Sequence, residues 1–239
     1  MNLILLDGMT GIPIPYLLRS DGMVTGILFL CILLVSFVLS RGKKVLFQGL
    51  RDFVWKGERS SISNEVTASD ARHTILLLFH STIVQSFCGY YYLSQTTPLL
   101  FDNTPHWMLF GILVLSINLF LLLKWLFYKF VNWTFFQKER NKLWESAFVK
   151  LFIWFGILLL PLFLFVVYFD VRPQTALHGI AALLILAKIM LFWKCFSNFF
   201  KKIHGIFHLI LYFCALEILP DLFLWKSLDI ISNNLTLNL

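Results

Sequence analysis

Apolar blocks of near-constant length, separated by short polar connections, set the pattern of the chain. A helix rising about 1.5 Å per residue needs about 20 apolar residues to cross roughly 30 Å of hydrocarbon. Six blocks approach that length, at residues 24–39, 73–93, 107–128, 151–169, 177–193 and 203–219. Several are bordered by aromatic residues suited to the membrane interface, as in the run Tyr90, Tyr91, Tyr92. The pattern predicts an all-α fold: a polytopic membrane helical bundle with six transmembrane helices and interfacial amphipathic segments, forming one integral membrane domain over residues 1–239. After the last block only Leu222–Trp225 is apolar, too short to cross, so residues 220–239 are expected to form a surface tail.

The basic residues give these blocks a direction. The connections after the first, third and fifth blocks hold 16 Lys and Arg, from Arg41 through Lys124 to Lys202, whereas the opposite side holds only Arg19, Arg172 and Lys226. Basic residues near span ends are retained in the cytoplasm, so both termini are expected on the periplasmic side. Residues 1–23 contain Asp7, Asp21 and Arg19 but no basic leader, so the first block is expected to stay as an anchor.

Composition agrees with this reading and narrows the partners. Hydrophobic residues make up 59% of the 239 positions and charged residues 14%, with mean hydropathy +0.78. A net charge of +7 concentrated between apolar blocks points to anionic lipid headgroups of the bilayer and away from nucleic acid. Cys31, Cys88, Cys195 and Cys214 lie in or beside apolar blocks without metal-ligand spacing and read as small buried hydrophobes.

Two connections are themselves amphipathic. Residues 41–60 interleave Arg41, Lys43, Lys44 and Arg51 with Phe47, Phe53 and Trp55, and residues 130–148 set Trp133, Phe135 and Trp144 against Lys138 and Arg140. Both suit the membrane surface, and either offers a docking face. Thr67 followed by Asp70 resembles a helix N-cap with an acidic third residue, which would begin the second helix.

The run Tyr16-Leu17-Leu18-Arg19-Ser20-Asp21-Gly22-Met23-Val24-Thr25 ahead of the first block, with Glu58-Arg59-Ser60-Ser61, Asn64-Glu65 and Thr67 ahead of the second, resembles a multi-pass inner-membrane family of Bacteroidetes described as domain of unknown function 4271. The resemblance covers nearly the whole chain. It implies a bacterial inner membrane and supplies neither an activity nor site residues.

Ionisable groups inside hydrocarbon are costly and are candidate functional groups. Counted at about 1.5 Å per residue from the basic flanks, Lys188, His208 and His80 fall in one inner layer, and Glu217 with His178 in an outer one. The same count separates Lys188 from Glu217 by about 13 Å in depth, which argues against an ion pair between them. The inner layer suits a proton, a quinone headgroup or haem ligation; alternatively Lys188 snorkels and the histidines bond neighbouring helices. His204 and His208 share a helix face but lack further metal ligands, so no metal site is assigned. Pro161 marks a bend or hinge in the fourth helix, and Gln85, Ser116 and Asn118 suit interhelical bonds.

The motifs GxxxxGK[ST], HExxH and GxSxG are absent, so no catalytic residue or cofactor is assigned, and the lack of strong inverted repeats weakens a secondary-transporter reading. The leading expectation is a non-enzymatic accessory, scaffold or assembly subunit of an envelope complex, acting with a membrane-protein partner or as a homo-oligomer. A small transporter or channel using the intramembrane Lys, His and Glu residues is the alternative, and a haem or quinone redox subunit the third.

Overall fold

A computed structural model describes residues 17–54, 68–97, 101, 104–135, 138–169, 171–199 and 211–237, and these contain helices and no strand. A 3-10 turn, Leu18–Ser20, leads into α1 (Gly22–Val54), followed by α2 (Ala68–Thr96), α3 (His106–Phe135), α4 (Lys138–Tyr168) and α5 (Pro173–Phe199). The described part of the last helical segment begins at residue 211, passes through a π turn at Cys214–Ile218 and continues as α6 (Leu219–Leu237). Within these helices, four stretches are long and apolar enough to cross a membrane: Gly22–Arg41, His106–Thr134, Trp144–Tyr168 and Pro173–Ser197.

Local chemistry sets several boundaries. Asp21 begins α1 as its N-cap, its carboxylate accepting from the Met23 N–H at 2.9 Å. Its other oxygen meets His106 Nδ1 at 2.9 Å, tying the start of α1 to that of α3. Pro105 precedes α3, and Pro173 opens α5, where a missing N–H leaves no bond unmade. The described part of α2 begins at Ala68, and the expected cap residue Thr67 lies outside the described residues.

Both amphipathic connections are helical over much of their described length. The backbone of α1 continues through residue 54, α3 runs on to Phe135, and the described part of α4 begins at Lys138. Basic residues favour helix about as well as apolar ones, so a helix need not end where hydropathy does. Pro161 likewise lies within a continuous α4.

The bundle has an apolar outside and a partly polar inside. Exposed positions include Phe29, Leu33, Leu115, Leu122, Ile185, Leu186 and Ile189, whereas the buried set contains His80, Ser81, Thr82, Ser86, Lys124, Asn132 and Glu217. Water-soluble proteins do the reverse, and lipid is the solvent that suits such a surface. The second helix lies centrally, packed against α1, α3, α4 and α5. Its hydroxyls bond its own carbonyls, Ser81 to Leu77 at 2.8 Å and Ser86 to Thr82 at 2.7 Å, so these side chains are satisfied within the helix. Around it Phe87 packs on Phe110 at 4.6 Å and on Phe163 at 5.2 Å between ring centroids, joining α2, α3 and α4.

The close approach of α2 and α4 depends on Gly156. A Cβ there would stand 2.5 Å from Ser81 Cβ and 2.7 Å from Ser81 Cα, a clash that side-chain rotation alone cannot relieve. Small residues permit this kind of contact between membrane helices. Gly156→Leu is therefore expected to destabilise the fold by about 1–3 kcal/mol or more, read as a lower thermal midpoint in detergent; an unchanged midpoint would show that the helices are not held this closely.

Candidate functional site

The buried polar residues converge where α3, α5 and the final helical segment meet. Lys124 and Tyr128, four residues apart, share a face of α3, and Lys188 projects from α5. Glu217 lies on the π turn and Asp221 in the first turn of α6. Lys124 Nζ donates to Glu217 Oε2 at 2.7 Å and to Asp221 Oδ1 at 3.3 Å. Lys188 Nζ also donates to Glu217 Oε2 and stands 2.5 Å from Asp221 Oδ2. Tyr128 completes the set by donating its hydroxyl to Glu217 Oε1.

The result is a closed, charge-balanced ring in which each lysine meets both carboxylates. Its burial is graded: side-chain exposure is 1% for Glu217 and 5% for Lys124, against 25% for Lys188 and 32% for Asp221. A lone charge at such a position would be strongly disfavoured, and the ring gives each ion an opposite partner.

The π turn presents the carboxylates. The Leu219 N–H bonds the Cys214 carbonyl, five residues back, and the following Pro220 has no N–H to restore the ordinary ladder. Beneath the ring, Tyr128, Trp144, Leu191, Cys195, Phe213 and Leu216 form an apolar cluster joining α3, α4, α5 and the segment before α6. Tyr212 donates to Asn132 Oδ1 at 2.6 Å, and Asn132 donates to Asn141 Oδ1 at 3.0 Å, so polar contacts continue along α3 past the cluster.

The expected layers are rearranged. Lys188 bonds Glu217, the pairing that the depth count argues against. That count places Lys194 and Lys202 at one level and runs a straight helix onward from Lys202, and the observed contact is incompatible with those levels. The expected partner of Glu217, His178, is exposed on α5, ten residues or about 15 Å along the axis from Lys188. His80 is fully buried on α2, and neither ring nitrogen has a hydrogen-bond partner among the described residues. His208 lies outside the described residues, as does His204.

Residues expected to be a surface tail are helical through Leu237, and Trp225 packs on Tyr92 with ring centroids 5.1 Å apart. Since Tyr92 is near the C-terminal end of α2, α6 runs beside the bundle. Lys124, Tyr128 and Asp221 are site residues that sequence reasoning misses. Lys124 counts there with the basic flank and Asp221 with the tail, although the pairs Lys124/Tyr128 and Glu217/Asp221 both have i,i+4 spacing that places them on one helix face.

Among the described residues no group of three or more His, Cys, Asp or Glu is placed to hold a metal ion. Glu217→Leu is expected to cost about 3–5 kcal/mol because it leaves two lysines sharing one carboxylate. Adding Lys124→Met should recover part of that loss, measured by denaturation in mixed micelles. Additive losses in the double variant would show that the two side chains are not coupled.

Comparison with known proteins gives a family and no nearer guide. No curated protein and no solved structure matches the chain. A family model described as a domain of unknown function, DUF4271, matches residues 24–228, from near the start of α1 through the ion ring and into α6. By that match the chain belongs to the DUF4271 family.

Proposed function

We propose that the chain is a six-span protein of a bacterial inner membrane, with both ends periplasmic, that moves protons or a small charged solute by making and breaking the contacts of Glu217. The observation that carries this reading is the graded ring, in which a nearly inaccessible carboxylate shares both lysines with a partly accessible one. Ionisable residues at membrane depth characteristically mark ion pathways and proton relays. Neutralising one carboxylate leaves the ring with excess positive charge, and three helical segments meet there, so a local protonation change has a mechanical outlet.

Support for six spans comes from the four apolar stretches together with α2, enclosed by the bundle, and α6, placed alongside it by the Trp225–Tyr92 contact. The sixth span is then centred on the helix through Glu217 and Asp221, displaced toward the C-terminus from residues 203–219. The basic connections keep their cytoplasmic bias with Lys124 transferred from flank to interior. The resemblance to a Bacteroidetes family supports the choice of membrane.

In the accessory reading, the same ring serves only to fasten α6 to the bundle. Proteoliposomes loaded with a pH-sensitive dye distinguish the two. Under a potassium-diffusion potential, wild-type protein is expected to carry protons, and Lys188→Met and Glu217→Gln should each lower the initial rate at least tenfold. Equal rates for wild type, both variants and empty liposomes would reject proton movement and favour the accessory reading. Labelling of a cysteine at position 230 only from the cytoplasmic side would separately overturn the proposed orientation.

A further inference from the structure

A polar stripe descends α3 from the ring. Lys124, Tyr128 and Asn132 recur every four residues and are all buried, so they share one inward face over about 12 Å. Tyr128 donates to Glu217 at the upper end. At the lower end Asn132 accepts from Tyr212 and donates to Asn141, near the start of α4. The Tyr128 and Tyr212 rings join the two parts, their centroids 6.1 Å apart.

The stripe is one-sided. Toward the opposite end of α3 the buried positions are Leu113, Phe110 and Leu109, packed in the apolar core with Phe87 and Phe163. An apolar, aromatic interior gives water few partners, whereas carboxamides and phenols each offer hydrogen bonds. Along α3, buried polar positions therefore continue from the ring only toward Asn132 and the described start of α4, the cytoplasmic end in the proposed orientation, while Lys188 and Asp221 border the ring at its more exposed side.

We propose that this stripe is a cytoplasmic access path that delivers protons to Glu217 through the Tyr128 hydroxyl. The inference rests on the proton-handling reading above and adds the side and the carrier. Asn132, Asn141 and Tyr212 hold water in the lower part of the path. Hydronium gives a proton to the Tyr128 oxygen as the existing hydroxyl proton passes to Glu217 Oε1. One O–H bond forms on tyrosine as another breaks; tyrosine is unchanged, the carboxylate becomes a carboxylic acid, and water remains.

The titratable groups facing this transfer are Lys124 from α3, Lys188 and Cys195 from α5, and Tyr212 and Asp221 from either side of the π turn, while α4 packs the rings of Trp144 and Phe148 on Tyr128. The two lysines oppose arrival of a proton, while Asp221 retains a salt bridge to each of them after Glu217 is neutralised. Tyr128 is accordingly a relay residue, and Asn132 a positioning residue that holds the route open.

Two measurements test the path separately from net transport. In full-length protein, the infrared band of protonated Glu217, identified by its loss in Glu217→Gln, is followed after a pH jump. Tyr128→Phe and Asn132→Val are each expected to slow its appearance at least tenfold with the final amplitude retained; wild-type rates in both variants overturn the relay. In protein with the four native cysteines replaced by alanine, Asn132→Cys is expected to react with a small membrane-impermeant thiosulfonate only from the cytoplasmic side. Equal labelling from both sides, or none from either in protein whose elution and thermal midpoint match the parent, overturns one-sided access. If liposomes show no proton flux while both signatures appear, the transport reading fails and the access path stands; if flux is present and both signatures are missing, the reverse holds.

Discussion

The placement of Glu217 constrains much of the lower half of the bundle. A carboxylate with 1% side-chain exposure in apolar surroundings requires compensating charge and hydrogen bonds, and it receives two lysines and a tyrosine. These donors fix several relations at once. Tyr128 and Lys124 must share one face of α3, Lys188 must turn inward from α5, and the π turn must place Glu217 between them. Asp221 balances the second lysine one helical turn later. Mutual attraction offsets part of the desolvation of all four ions, and removing one member changes the electrostatic environment of the other three. Such a cluster fastens α3, α5 and the final helical segment to one another.

The upper half is held differently. There α2 meets α3 and α4 through aromatic packing and the close Ser81–Gly156 approach. Lipid-facing surfaces provide little hydrophobic drive for helix association, so close packing and internal polar contacts carry more of the specificity. The protein divides these roles along its length, with dispersion and aromatic contacts near the centre of α2 and charge compensation near the π turn. The ring and the Phe87 cluster thus hold different helices, α3, α5 and α6 in one case and α2, α3 and α4 in the other.

The main helices are legible in the sequence because lipid-facing and core-facing positions are both apolar, producing long blocks in α1, α3, α4 and α5. The final helix is obscured by the residues that give it its chemical interest. Glu217, Asp221 and Lys226 interrupt its hydropathy, and Pro220 suggests a break where the backbone instead follows a π turn with more helix. Lys124 is hidden by its proximity to Lys129 and the following basic flank. The inward or outward direction of one lysine depends on a partner whose level in the bundle is not encoded by local hydropathy.

The Lys188–Glu217 contact shows why depth counted from flanks fails here. Counting transfers any error in the starting level to every later residue, whereas a salt bridge fixes two side chains to one place regardless of how their connections run. The i,i+4 pairs supply a stronger constraint than absolute depth: Lys124/Tyr128 and Glu217/Asp221 define two complementary helix faces, and Lys188 provides the remaining cation. Matching those faces first would place the segment containing Glu217 beside α3, bring Asp221 into the same ring and carry the helix onward past Trp225. In this protein charge pairing fixes helix position where hydropathy and depth do not.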